Sequence, residues 1–255
     1  MQQMKGYMVK CKGCGCETAA GMSREHVLPQ WLHKHVQIVG QSLAHRVADE
    51  AGIRPLRSHG LNNFVVKVVC AACNNTWMSA LETESSPILL PLLEGKKLVE
   101  VLSDEEACTL ARWAFKTAFM ILSVQAKIPV PWHIFARWAQ GGANNPNPAI
   151  IFSLSDLQLN EGFYYTIDQD FTHEAPDEVV NLRIAICIRS LILVVLLPTD
   201  ERPREPGAQG TNFKLLWPQN MKIIQVRSHP VDPKLGYPEF MKEITGRVYA
   251  RVSTV

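Results

Sequence analysis

The feature that most limits what this chain can fold into is a matched pair of cysteine frames. Cys11-Lys12-Gly13-Cys14 and Cys70-Ala71-Ala72-Cys73 stand 55 residues apart. A C-x-x-C frame sets two thiolates at one corner of a tetrahedron, and two such frames close a zinc site with Zn–S bonds of about 2.3 Å. The gap exceeds that of a compact zinc ribbon, so the chain between the frames must fold across the metal. Reduced thiols at two matched spacings favour structural zinc over a disulfide or a redox pair. Cys16 offers itself as a replacement for Cys14, but Cys11, Cys14, Cys70 and Cys73 carry the matched spacing. Cys108 and Cys187 sit in apolar runs and are expected in the core.

The same third of the chain is also the basic one. Residues 1–80 hold nine Lys and Arg against four Asp and Glu, while the whole chain of 255 residues has a net charge of only +2. Five of the seven Cys and five of the eight His also precede Leu81. A basic, ligand-rich module followed by an acidic remainder points to a polyanion partner for the first part. An apolar fraction of 47% excludes wholesale disorder. No run approaches the roughly 18 consecutive apolar residues of a membrane span, since Leu182–Leu197 is broken by Arg183, Arg189 and Ser190. Met1–Lys10 lacks the apolar core of a signal peptide. The expectation is a soluble, cytoplasmic chain with no membrane partner.

Pattern along the chain predicts an α+β protein in two parts, residues 1–85 and 86–255. In the first, a knuckle over Cys11–Cys16 precedes an extended stretch at Met22–Val27 and a helix over Pro29–Ile38, opened by Pro29. Gly40–Gly60 has no clear period and reads as loop with a short helix. Phe64–Val69 reads as a strand and Asn74–Glu84 as a helix. Ser85–Gly95, with Pro87, Pro91 and Gly95, reads as the boundary. Beyond it, Ser103 and Glu106 form a capping box for a helix over Asp104–Val124, and a shorter helix covers Trp132–Gln140. Strands are expected at Ile150–Leu154, Phe163–Ile167, Leu182–Ile188, Leu191–Leu197 and Met221–Val226. Helices packed on a mainly antiparallel sheet follow. Leu182–Arg189 alternates as a half-exposed strand does.

Between and after the frames lie Glu25-His26 with Pro29, and Cys70-Ala71-Ala72-Cys73-Asn74. Here the chain resembles the HNH endonucleases of the ββα-metal nuclease group. Their pattern is a C-x-x-C knuckle, an acidic-His dipeptide ending a strand, a nearby Pro, and a second C-x-x-C followed at once by His or Asn at a helix start. The resemblance covers about Tyr7–Glu84. It implies a zinc-stapled ββα domain that hydrolyses DNA, with RNA as the other polymer of the same chemistry. It assigns His26 as general base on water, a role suited to an imidazole near neutral pH. It assigns Glu25 and Asn74 to a single divalent ion. Oxygen ligands, waters and a substrate phosphate suit Mg²⁺ or Mn²⁺. Glu replaces the commoner Asp here, and Asn74 replaces His. The supporting Asn of the pattern falls to Asn62, Asn63 or Asn75.

The other residues read more blandly. His33 and His35 are expected to meet phosphate or solvent, and His45 and His59 to be solvated. Arg46, Arg54 and Arg57 are equally suited to phosphate contact or to a solvated loop. Glu82 and Glu84 read as helix-surface decoration, Trp31 and Trp77 as core aromatics, and His173-Glu174 as loop. Residues 86–255 carry no recognisable site and are expected to serve target choice, control or oligomerisation, through a second copy or a protein partner. The places where HNH proteins occur imply bacterial or phage defence. The competing reading is a zinc-stabilised nucleic-acid adaptor without catalysis.

Overall fold

The computed structural model describes residues 8–18, 21–35, 42–49, 52–60, 63–124, 128–144, 150–154, 163–171, 179–189, 191–198, 213–217 and 251–254. The chain opens with a two-stranded hairpin, β1 (Val9–Lys10) and β2 (Glu17–Thr18), closed over the first cysteine frame. A second short pair, β3 (Glu25–His26) and β6 (Val65–Val66), runs antiparallel with Glu25 opposite Val66 and His26 opposite Val65. Helix α1 (Gln30–His35) follows β3 directly. Pro29 precedes its first residue, consistent with an N-terminus that needs no N–H from that position.

The stretch read as loop is a hairpin instead. β4 (Ser42–Asp49) pairs with β5 (Gly52–Gly60), and β12 (Arg251–Thr254) adds to the free edge of β4. The sheet period is hidden because Pro55 and a bulge interrupt it. His45 faces Arg57 while Arg46 faces Pro55, so Leu56 is the extra residue, and a bulge is where a strand tolerates proline. Arg46, Arg54, Arg57, His45 and His59 all lie on these two strands.

After β6 comes α2 (Ala71–Cys73), a π turn over Asn74–Met78, and α3 (Ser79–Leu93). The helix runs through Ser85, Pro87 and Pro91, where composition predicts a boundary. An interior proline costs about 3 kcal/mol in an exposed helix. Here Ile88, Leu89, Leu92 and Leu93 are buried, and α3 packs along α4 (Asp104–Leu122), which offsets that cost. Helix α4 starts at the expected capping box, with Ser103 Oγ accepting from the Glu106 N–H at 3.2 Å and Glu106 Oε2 accepting from the Ser103 N–H at 3.0 Å. Helix α5 (Trp132–Gln140) follows.

A five-stranded antiparallel sheet completes the fold in the order β11 (Phe213–Trp217), β7 (Ile150–Leu154), β10 (Leu191–Pro198), β9 (Val179–Ile188), β8 (Phe163–Phe171). The strand expected at Met221–Val226 and the loop at His173-Glu174 lie outside the described residues; β11 was not anticipated. Helix α4 lies against β7, β9, β10 and β11. In β9, Leu182, Ile184, Ile186 and Ile188 are buried as predicted, but so are Ala185 and Cys187. The strand is covered on both faces, not half-exposed. One contiguous core runs from Cys11 and Val27 through α3, α4 and α5 to Leu216. Phe64, beside β6, stacks on Tyr165 of β8 with centroids 5.9 Å apart and planes within 10°. The arrangement is α+β, with helices on small antiparallel sheets. Among the described residues, no helix is long and apolar enough to cross a membrane.

Candidate metal centre and the residues around it

The two cysteine frames are brought together by backbone hydrogen bonds that the sequence makes possible. Cys11 N–H donates to the Cys16 carbonyl at 2.9 Å and Gly15 N–H to the Cys11 carbonyl at 3.0 Å, which curls the first knuckle. Gly15 has φ +76°, a conformation that favours glycine. Lys12 N–H donates to the Val68 carbonyl at 2.9 Å, drawing the knuckles side by side. Gly13 eases the close approach, since a Cβ there would stand 3.3 Å from Cys73 Sγ, tighter than an ordinary contact.

The sulfurs then converge. Cys11 Sγ lies 3.9 Å from Cys73 Sγ, and Cys14 Sγ lies 3.7 Å from Cys70 Sγ. A tetrahedral ZnS₄ centre with bonds of about 2.3 Å has S···S edges of about 3.8 Å, and each of these two distances is the length of such an edge. The Cys70 N–H also donates to Cys11 Sγ at 3.2 Å, an interaction that stabilises a thiolate. Four close cysteines could hold a structural ion such as zinc, but the four whose sulfurs all lie within 4.8 Å of one another are Cys11, Cys14, Cys16 and Cys70, not the matched set that includes Cys73. Cys16 thus stands in the group where the matched spacing expects Cys73, and Cys73 keeps its 3.9 Å approach to Cys11. Burial opposes ionisation of Cys14 and Cys70, yet both are held below the ordinary thiol value, by the backbone N–H groups of Cys16 and Cys73 and by neighbouring thiols. Cys16 is pushed up to about 12 by its contacts with Cys14 and Cys70. Burial, foremost, raises Cys73 as well.

Among the described residues, this is the one group of three or more His, Cys, Asp or Glu side chains close enough to share an ion. Glu25, His26 and Asn74 each have a different partner. Glu25 is 5% exposed, and its Oε1 sits 2.7 Å from Lys116 Nζ on α4. Lys116 is fully buried and also meets Glu82 Oε1 of α3 at 2.6 Å. Burial raises Glu25 above the ordinary carboxylate value, with Lys116 opposing and Glu82 adding to the shift. Burial also penalises the Lys116 charge, but Glu25 and Glu82 override it and raise Lys116. Glu82 is thus part of a buried triad and not surface decoration.

His26 is half-buried at the end of β3. Gln30 Nε2 lies 2.9 Å from His26 Nε2, a contact in which the amide donates when the ring carries its proton on Nδ1. Nδ1 is buried with no hydrogen-bond partner. Burial lowers the His26 pKa, and His33 and Arg24 lower it further, which favours the neutral ring. His33, expected to meet phosphate or solvent, is 4% exposed and meets His26 edge-on at 6.3 Å between centroids. Helix α1 turns it inward beside buried Leu32; no sequence period announces this in so short a helix. Asn74 opens the π turn and donates from Nδ2 to Ser23 Oγ at 2.8 Å. That bond fixes Oδ1 as the free acceptor of its amide. Asn63 and Asn75 are exposed, and Asn62 lies outside the described residues. Trp77 is a core aromatic as expected, edge-on to Trp138 at 5.1 Å.

Comparison with protein-family models, curated proteins and solved structures finds no match.

Proposed function

We propose that the segment from β1 to α3 is a zinc-stapled HNH-type module that hydrolyses DNA phosphodiester bonds with a divalent ion, Mg²⁺ or Mn²⁺. The observation that carries this reading is the order and pairing of its parts. The dipeptide Glu25-His26 forms one strand of a two-stranded antiparallel pair, and the partner strand leads straight into the second knuckle and its helix, with Asn74 at the first turn. A divalent ion would neutralise charge on the phosphate and the leaving oxygen. Asn74 Oδ1 and Glu25 Oε2 are the oxygens that would hold it, Oε1 being committed to Lys116. His26 supplies the base: its Nε2 lone pair faces the more open side, where a water replacing the Gln30 amide would give up its proton. The basic excess of residues 1–80 supports sequence-independent, salt-sensitive affinity for the polymer.

Supercoiled plasmid incubated with Mg²⁺ or Mn²⁺ tests the proposal. The chain should nick it, and His26→Ala should abolish nicking with zinc content and fold unchanged. Asn74→Ala should raise the divalent concentration needed. Nicking that survives in His26→Ala would refute the base assignment. A second reading, a zinc-stabilised adaptor that binds nucleic acid without cutting, draws support from a specific observation. Glu25, His26 and Asn74 are each engaged by another side chain of the chain itself. It predicts salt-dependent binding in a gel-shift assay and no cleavage with any divalent ion.

A further inference from the structure

We propose that Cys16 and Cys73 are interchangeable fourth ligands, so that the paired knuckles hold one zinc ion in two alternative four-thiolate forms. The inference rests on the structural-zinc reading of the cluster. A tetrahedral centre takes four thiols, and five lie close by: Cys11, Cys14, Cys16 and Cys70 within 4.8 Å of one another, and Cys73 at 3.9 Å from Cys11. Cys11, Cys14 and Cys70 are common to both sets. Cys73 completes the first, through its 3.9 Å approach to Cys11. Cys16 completes the second, because its sulfur lies within 4.8 Å of each of the other three.

The two forms differ in what they expose. Cys73 is buried at the start of the helix and its sulfur is hydrogen-bonded by Trp77. Cys16 is exposed on the hairpin. Exchange would need no oxidant: a bond to the Cys16 sulfur would replace the one to Cys73, and the Cys16 thiol proton would pass to the Cys73 sulfur. In both end forms the ion would be held by four thiolates with the same net charge. Because Asn74 follows Cys73 directly, the Cys16 form loosens the metal's hold on the helix turn that carries Asn74, while the Cys73 form fixes it.

Zinc per chain, measured on the full-length protein, and the absorption of the Co²⁺-substituted protein test this. The variants are Cys16→Ser, Cys73→Ser, Cys73→Ala, the double variant Cys16→Ser/Cys73→Ser, and Cys11→Ser. Each single change at 16 or 73 should leave one zinc and a four-thiolate Co²⁺ spectrum. Affinity in chelator competition should fall by no more than about tenfold, since only one of two competent forms is lost. The double variant and Cys11→Ser should lose more than about a hundredfold, beyond the loss seen on removing a mere supporting contact. Loss of zinc or of fold in both Cys73→Ser and Cys73→Ala overturns the interchange while leaving a fixed zinc site standing. So does a four-thiolate spectrum that survives in the double variant. Wild-type protein without zinc overturns the zinc reading itself.

Discussion

Removing the ammonium of Lys116 should expose how the module and the helical layer are held together. Lys116→Met keeps the length and apolar stem but leaves Glu25 and Glu82 facing one another in a buried site. Both carboxylates lie within 2.7 Å of the Nζ atom, and the Lys116 side chain is fully buried while Glu25 is 7% and Glu82 23% exposed. Breaking a buried pair by removing one partner costs about 3–5 kcal/mol. The Glu25 contact supplies most of that here, because Glu82 reaches solvent that screens it. Such a loss is a large part of the roughly 5–15 kcal/mol that stabilises a typical domain. The loss should also depend on pH. The Glu25 pKa is raised in the folded chain even with Lys116 present, so folding favours its protonated form, an effect present below the ordinary value of 4.5 and lost as pH rises through the folded value. Without the ammonium that value rises further. The destabilisation should therefore be greatest at neutral pH and shrink in acid, as the carboxylates protonate. Urea unfolding at pH 7 and pH 5 measures both effects. Adding Glu25→Gln to Lys116→Met should recover at least about 1 kcal/mol, the signature of direct coupling. A loss below about 1 kcal/mol at pH 7, or one equal at the two pH values, would refute the reasoning.

Two further perturbations test the fold around the centre. Phe64→Ala, at a buried position stacked on Tyr165, should cost about 3–5 kcal/mol in chemical unfolding, and it should loosen β6 against the five-stranded sheet, which hydrogen exchange at Val65 and Val66 would report. Glu106 is held below the ordinary carboxylate value by Lys97, first, and by the Ser103 N–H. Its contribution is complete above 4.5 and is lost as pH falls through the lower folded value, so Glu106→Gln should flatten that acid limb of the stability profile while leaving the alkaline limb in place.

What could be read from the sequence was whatever depends on neighbours along the chain. The capping box at Ser103 and Glu106 is local chemistry, and it stands where the residues predict. The cysteine frames were legible from their matched C-x-x-C spacing, and the extended stretch read at Met22–Val27 contains β3 at Glu25–His26. The buried triad was not legible, because its members meet only when β3, α3 and α4 come together. One signal was available. Lys116 is a lone charge in the run Trp113–Leu122, with Arg112 and Met120 at its i−4 and i+4 positions, so no acidic partner on its own helix could satisfy it. A lysine in that position must find carboxylates elsewhere in the fold, and the half-buried or buried acids on neighbouring elements are few. Pro87 and Pro91 misled for the converse reason: they are strong local breakers, and only packing of Ile88, Leu89, Leu92 and Leu93 against α4 keeps that helix whole. The same contrast bears on function. The cysteine frames supply close thiols that could hold a structural metal such as zinc, and backbone hydrogen bonds bring the two knuckles side by side. Glu25 serves two masters: the site pattern would give it to an ion, and the fold gives one of its oxygens to Lys116. If the module cuts DNA, that shared carboxylate links catalysis to the docking of α4. Loss of Lys116 should then weaken nicking even under conditions where the chain stays folded.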